Sequence, residues 1–286
     1  MKRSAICMLC LALLLGGCAL RREPAWNQAG FDRPAEADAG LFAAARDCFA
    51  NAAGGAALDS CIGRHEAVLK SHAGHYQARV NAASLYILKG TAYTGSSFAK
   101  SEMFGRAMDY AELAMYTNPG FKAQVDAGRQ PWEAASALGA TEVEAMYFWV
   151  TALQYEFKEG MSLPAKIVNI GWLQRAQVFL DRIEAVAPDF GGGGVEVAKA
   201  ICYLALPESR GGSTAKGDAY MQKALAKGTD WLLPRWAHGK YYLPVKGKAE
   251  EARAELAWVA AQDPKVYRDP YPWRVHFQDD ARQLLR

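Results

Sequence analysis

The chain is short of most features that announce chemistry. Among its 286 residues are five histidines, and three of them, His65, His72 and His75, make the one histidine cluster. Three imidazoles can hold zinc, but residues 71–74 read as a helix break between them. No carboxylate or cysteine shares a ligand spacing with them, so the cluster reads as solvated or capping side chains, with no metal site. A nucleophile elbow and a Ser-His-Asp order are both missing. Acid pairs such as Glu142 with Glu144, or Asp279 with Asp280, fall where helix starts or surface charge account for them. The sequence predicts neither an enzyme nor a cofactor. Charge of one sign is lacking too. The net charge is +3, and it falls to +1 without Lys2 and Arg3, which leaves no basic footprint for nucleic acid. No strand pattern competes with helix; the short run 241–245 is interrupted by Pro244. After the first 17 residues no apolar run approaches the roughly 20 residues that a membrane span needs.

The one apolar run that does exist opens the chain. Lys2 and Arg3 precede it, residues 5–15 form it, and Leu15-Gly16-Gly17-Cys18 closes it. That is the pattern of a bacterial lipoprotein signal. Residues 1–17 are therefore expected to be a signal peptide, and Cys18 to carry a palmitate-type lipid. Residues 18–36 hold Arg21, Arg22, Pro24, Gly30 and Pro34 with no apolar period, and read as a lipidated tether. Ala19 after the cysteine resembles the outer-membrane sorting rule of enteric bacteria. The expected location is the periplasm, lipid-anchored, at the outer membrane rather than the inner. The periplasm is oxidising. Cys48 and Cys61 flank the turn signal at Gly54 and Gly55, so a disulfide between them is expected. Cys202 lies in an apolar helix and reads as a small core residue.

Residues 37–286 read as one helical-repeat domain. Leu41, Ala44, Ala45, Cys48 and Phe49 have the spacing of a buried helix face. A second helix carries Leu58, Cys61, Ile62, His65, Val68 and Leu69, with Asp59 or Ser60 as its cap. Further helices are predicted over 75–89, 98–117, 131–138, 141–157 and 164–186. Asn118-Pro119-Gly120 stops the 98–117 helix. Thr141 with Glu144 resembles a capping box. A short aromatic helix or turn at 234–243, then helices at 247–262 and 275–285, follow a central hairpin over 188–228. The helix over 141–157 is apolar almost all round, which places it at the centre of the domain. The period is looser than a fixed repeat length, so the fold class is all-α, built of stacked, degenerate tetratricopeptide-like hairpins.

Two features invite a functional reading. Gly191 to Gly194 resembles an anion nest, but no Lys-Ser/Thr follows and no strand precedes it, so a tight turn into a helix is the reading preferred. The aromatic residues Tyr147, Phe148, Trp149, Tyr155, Trp172, Tyr203, Trp231, Trp236, Tyr241 and Tyr242 gather in the second half. Aromatics at helical spacing are usually core. Collectively they can also line an apolar channel between helices, with Tyr147, Trp149, Tyr155, Trp172 and Tyr203 as the candidates.

Several stretches carry a resemblance. They are EAMYFWVTALQYEF, GGGGVEVAKAICYLALPESRGG, KGDAYMQKALAKG, and WLLPRWAHGKYY before GKAEEARAELAWV. With AELAMYTNP and the lipoprotein signal, residues 141–256 resemble the TatT family, lipoprotein T components associated with tripartite ATP-independent periplasmic (TRAP) transporters. The resemblance implies an all-α domain related to tetratricopeptide repeats and pierced by an apolar pore. It also implies a homotrimer, docking of a periplasmic substrate-binding protein, and handling of a hydrophobic, lipid-like ligand. The Cys48/Cys61 hairpin and the loop around Thr94 have no counterpart in the resemblance. A generic tetratricopeptide-like scaffold for envelope assembly is the alternative.

Overall fold

The computed structural model describes residues 20, 22–27 and 39–286. Cys18, the signal at 1–17 and most of the expected tether lie outside the described residues. Among the described residues the regular structure is helical throughout, and no helix is long and apolar enough to cross a membrane.

The first four helices are α1 (Ala39–Asn51), α2 (Gly55–Ser71), α3 (Tyr76–Tyr93) and α4 (Ser97–Met115). Each packs on the next. Small buried side chains, Ala82 and Ala83 on α3 and Ala107, Ala111 and Ala114 on α4, let the helices approach closely. Cys48 of α1 and Cys61 of α2 are joined as a disulfide, their Cα atoms 5.5 Å apart. α2 starts a turn earlier than the sequence predicts. Gly54, at φ +85°, opens it with no side-chain cap, so neither Asp59 nor Ser60 serves. Two of the three clustered histidines, His65 and His75, have structural partners. His65 is buried, with its ring nitrogens on the Cys61 carbonyl (2.9 Å) and the Asn81 amide (3.1 Å). His75 Nδ1 caps α3 by accepting from the Ala78 amide at 3.2 Å.

Asn118 ends one helix and begins another. Its Oδ1 accepts from the amides of Gly120 and Phe121, and Pro119 fills the first turn of α5 (Pro119–Asp126). Residues 131–138 do not form the expected helix; turns and one 3₁₀ turn, Ala135–Ala137, replace it. α6 (Val143–Tyr155) follows. Its entry is set by Glu142, whose carboxylate accepts from the Gly139 amide at 2.7 Å, and not by the Thr141/Glu144 pair. α6 runs on into a π-helical turn, Glu156–Gly160.

The stretch predicted as one helix over 164–186 divides at Ile170 into α7 (Leu163–Asn169) and α8 (Gly171–Val186). The central hairpin is α9 (Gly194–Ala205) and α10 (Thr214–Lys227), with Ser213 Oγ capping α10 as its position suggests. Then come α11 (Leu233–Ala237) with a second π-helical turn, His238–Tyr242, α12 (Ala249–Ala261) and α13 (Tyr271–Leu284). α6 packs on α3, α4 and α8, α8 on α9, and α9 on α10. α13 packs on α12 and comes back to α1 and α3, where the Trp273 indole donates to Ser84 Oγ at 2.8 Å. The last helix thus meets the first hairpins.

Part of the expected tether is docked. Arg22 lies 2.6 Å from Asp109 and 3.3 Å from Glu112, both on α4. The Ala25 amide donates to Glu112, and Trp26 stacks on Tyr116 with centroids 5.4 Å apart.

Candidate functional site

α6 is apolar almost all round, and its two faces meet different surroundings. Met146, Trp149, Val150 and Leu153 are fully buried. Trp149 packs on Phe179 of α8, and its indole donates to the buried Glu112 of α4 at 2.9 Å. The other face carries Glu144, Tyr147, Phe148, Thr151, Gln154 and Tyr155 at the 3–4 spacing of one helical stripe. That stripe looks into a cavity of about 530 Å³.

The cavity lies between α6, α9, α11 and α13. Val197, Ile201 and Leu204 line it from α9, Leu233, Trp236 and Tyr241 from α11 and its π turn, and Trp273 and Phe277 from α13. Both π turns reach it, through Lys158 on one and Tyr241 and Tyr242 on the other. A π turn widens the helix and re-aims its side chains, and such turns gather at functional sites. The aromatic walls hold one another in place. Trp236 packs on Phe277 with centroids 4.6 Å apart and donates to Asp280 at 2.8 Å. Tyr147 stands edge-on to Phe190 at 5.6 Å.

The glycine run belongs to this wall. Gly191, Gly192 and Gly193 all have positive φ, so the chain turns left-handed for three residues before α9 begins. A Cβ on Gly193 would stand 2.5 Å from the Ala224 carbonyl oxygen, and one on Gly194 would stand 2.7 Å from Tyr147 Oη. The run is a close-packed turn that seats α9 against α10 and Tyr147.

The electrostatics of the cavity are muted. Burial holds the phenols of Tyr147, Tyr155 and Tyr241 well above the usual tyrosine range, so all three are neutral donors. Gln154 Nε2 is committed to the Ala198 carbonyl at 2.8 Å. Asp269 is buried, which pushes its carboxyl up to about 6. It accepts from the amides of Leu232 (2.7 Å) and Leu233 (3.3 Å), and so fixes the start of α11. Glu144 accepts from Gln77 at 3.2 Å. Among the described residues no group of three His, Cys, Asp or Glu is placed to hold a metal ion. These walls can bury an apolar molecule and offer it a few neutral hydroxyls.

A model of the TAtT family, described as TRAP transporter T-component, matches residues 56–269 of this sequence. The chain belongs to that family. No curated protein matches it. The family is an accessory of TRAP transport systems and not a known enzyme family. Its match in this T component begins well before residue 141, so it takes in Cys61 and the loop around Thr94, which the resemblance read from the sequence had left out.

Of the candidate pore residues, Tyr147 and Tyr155 lie in the cavity wall together. Trp149 is two positions from Tyr147, which turns it about 200° away and into the core. Trp172 packs on Trp132 under the Arg175 guanidinium, and Tyr203 stacks on Tyr220 with centroids 5.6 Å apart. Neither lines the cavity. Ile201, Trp273, Phe277 and Asp269 do line it and went unremarked as site residues. Thr151 and Gln154 are the sequence signal for the right face: they interrupt an otherwise apolar helix on one side only. Cys202, behind the wall, is fully buried, and burial pushes its thiol up to about 12.

Proposed function

We propose that this T component is an envelope lipoprotein that holds a hydrophobic, lipid-like ligand in the cavity between α6, α9, α11 and α13, and does so in the service of a TRAP transporter. The observation that carries the reading is the cavity itself, about 530 Å³ walled by aromatic and aliphatic side chains. Each 100 Å² or so of apolar ligand surface taken from water there is worth about 2.5 kcal/mol before the cost of immobilising the ligand. The neutral phenols and the polar groups of Glu144 and Lys158 at the cavity wall suit a ligand with an apolar body and a small polar end.

The partner that fits the family is a periplasmic substrate-binding protein, and the assembly that goes with it is a homotrimer. The lipid anchor is Cys18, and the outer membrane is the location that Ala19 favours. The helix-on-helix order from α1 to α4 and the α9/α10 hairpin support a tetratricopeptide-like origin for the domain.

Native mass spectrometry of the protein purified without detergent tests the ligand. The expected result is a co-purified apolar molecule that is lost when Ile201→Trp fills the cavity. A mass equal to the bare chain, together with no uptake of a fluorescent fatty acid by the delipidated protein, defeats the reading.

A further inference from the structure

The docked N-terminal segment and α7 share one side of the molecule. The Leu20 amide donates to Asn169 Oδ1, at the end of α7, at 2.6 Å. Leu20 itself is half-buried and packs on the core. Two residues further along, Arg22 is bound to α4 through Asp109, Glu112 and the Gly105 carbonyl. Cys18 is two residues upstream of Leu20. Two residues of extended chain span about 7 Å at most, and α7, with seven residues, is about 10 Å long. Any group attached at Cys18 is therefore leashed beside α7, within less than the length of that helix plus a side chain.

α7 has the surface for it. Leu163 is 71% exposed and Ile167 67%, and Val168 is exposed next to them. Three large apolar side chains on a seven-residue surface helix are an unpartnered face. Lys166 stands among them, its Nζ donating to the Lys158 carbonyl at 3.2 Å. The start of α4 adds to the same side. Lys100 pairs with Glu159 at 2.5 Å and Ser101 donates to Glu156 at 2.9 Å, which brings the first turns of α4, with Phe98 85% exposed, against the π turn that leads into α7. Apolar side chains flanked by lysines, at the point where the chain leaves for its anchor, are the composition of an interfacial membrane contact.

We infer that α7, with Phe98 of α4, rests on the bilayer to which the acylated Cys18 tethers the protein, so that the docked residues 20 and 22–27 fix the orientation of the domain on the membrane. Lys158, whose carbonyl holds Lys166, is also a residue of the cavity wall. The membrane-facing side and the rim of the cavity are therefore adjacent, and an apolar ligand has a short path between bilayer and cavity. The inference rests on the lipoprotein reading above.

The test uses the full chain, expressed with its signal and purified as the lipoprotein, on vesicles of phosphatidylethanolamine and phosphatidylglycerol carrying a nitroxide lipid. An environment-sensitive fluorophore is attached at Ile167→Cys or, for contrast, at Val266→Cys, which is 69% exposed on a different loop. Both sites are open, so labelling leaves the fold alone. The expected result is quenching by the nitroxide lipid several-fold stronger at 167 than at 266. Equal, weak quenching at both sites on vesicle-bound, acylated protein overturns the inference and leaves the lipoprotein reading standing. A label at 167 shielded from lipid and from water-soluble quencher alike also overturns it, because a second copy or another part of the chain then covers α7. A protein whose mass shows no acyl group and which stays off the vesicles overturns both readings.

Discussion

The two faces of α6 are built from similar residues and end in opposite states. One face packs solid: Trp149, Val150 and Leu153 meet α4 and α8, where Ala107, Ala111 and Phe179 complete the fit. The other carries Tyr147, Phe148 and Tyr155 and is left facing a cavity of about 530 Å³. Hydrophobicity does not separate them. What does is the neighbour. Alanines on α4 let that helix close on α6, whereas α9, α11 and α13 are held off by bulky rings that brace one another and by two π turns. An apolar cavity persists where its walls are supported from behind more firmly than they are attracted across the gap. The polar partners follow the same division. Behind Trp149 lies a closed network in which Glu112 takes hydrogen bonds from the indole and the Ala25 amide and an ion pair from Arg22. On the cavity face the polar groups are few and most are spoken for.

The largest effect should come from cutting each face in turn. Trp149→Ala removes a fully buried ring and the donor to Glu112, and should cost about 3–5 kcal/mol. Phe148→Ala enlarges a space that already exists and should cost less than half as much, because little new void is enclosed. Urea unfolding followed by circular dichroism measures both. Equal losses would erase the distinction between a filled face and an open one.

Acidity sharpens the comparison within the cavity region, where two buried groups have opposite signs. His276 of α13 is held near 4 by burial, with Lys240 from the second π turn working against its charge and Asp280 for it. The unfolded chain takes up that proton first, so this group withdraws stability as pH falls from about 6.5 to about 4. Asp269, raised to about 6, is protonated first in the folded state, so it adds stability as pH falls from about 6 to about 3.8. Each contribution is on the order of 3 kcal/mol, and the two largely offset each other. Asp269→Asn should therefore expose a loss of stability on acidification, and His276→Gln a gain, both read from melting temperature between pH 4 and 7. Parallel profiles in the two variants would show that neither group titrates as its burial implies.

How far this comparison was visible beforehand depends on the range of the contacts involved. Local signals carried the helices: Ser213 and Asn118 mark caps within a few residues of themselves, although α3, expected to stop at 89, runs on through Gly90 to Tyr93. They misled where two neighbouring residues competed for a job. Glu142 takes the Gly139 amide just before α6, and Glu144, the residue that fits the capping-box spacing, instead accepts from Gln77 and borders the cavity. Ile170 breaks a helix that composition alone would run through, and the Leu20 amide occupies Asn169 at the break from 149 residues away. Arg22 and Trp26 likewise show no periodicity, because their partners are on α4 and at Tyr116, and such a contact leaves no pattern in the sequence. For the site, periodicity identified α6 as central but could not rank its faces. The hydroxyl of Thr151 and the amide of Gln154 ranked them, being tolerable only where the wall is incomplete or a carbonyl is at hand.

The smallest effects discriminate within the glycine run that seats α9 at the cavity edge. Gly191 and Gly193 share a left-handed backbone, which costs a residue with a Cβ about 1–2 kcal/mol. Gly191 has open space where its Cβ would go, so Gly191→Ala should lose only that amount. At Gly193 the added carbon would press on the Ala224 carbonyl oxygen, a backbone atom in α10 that cannot swing aside, so Gly193→Ala should lose clearly more and shift α9 relative to α10. Since α9 supplies Val197 and Ile201 to the cavity wall, uptake of a fluorescent fatty acid should weaken in Gly193→Ala and hold in Gly191→Ala. If both substitutions leave uptake and stability alike, the run is a permissive linker, and the cavity face owes its shape to the rings of α11 and α13 alone.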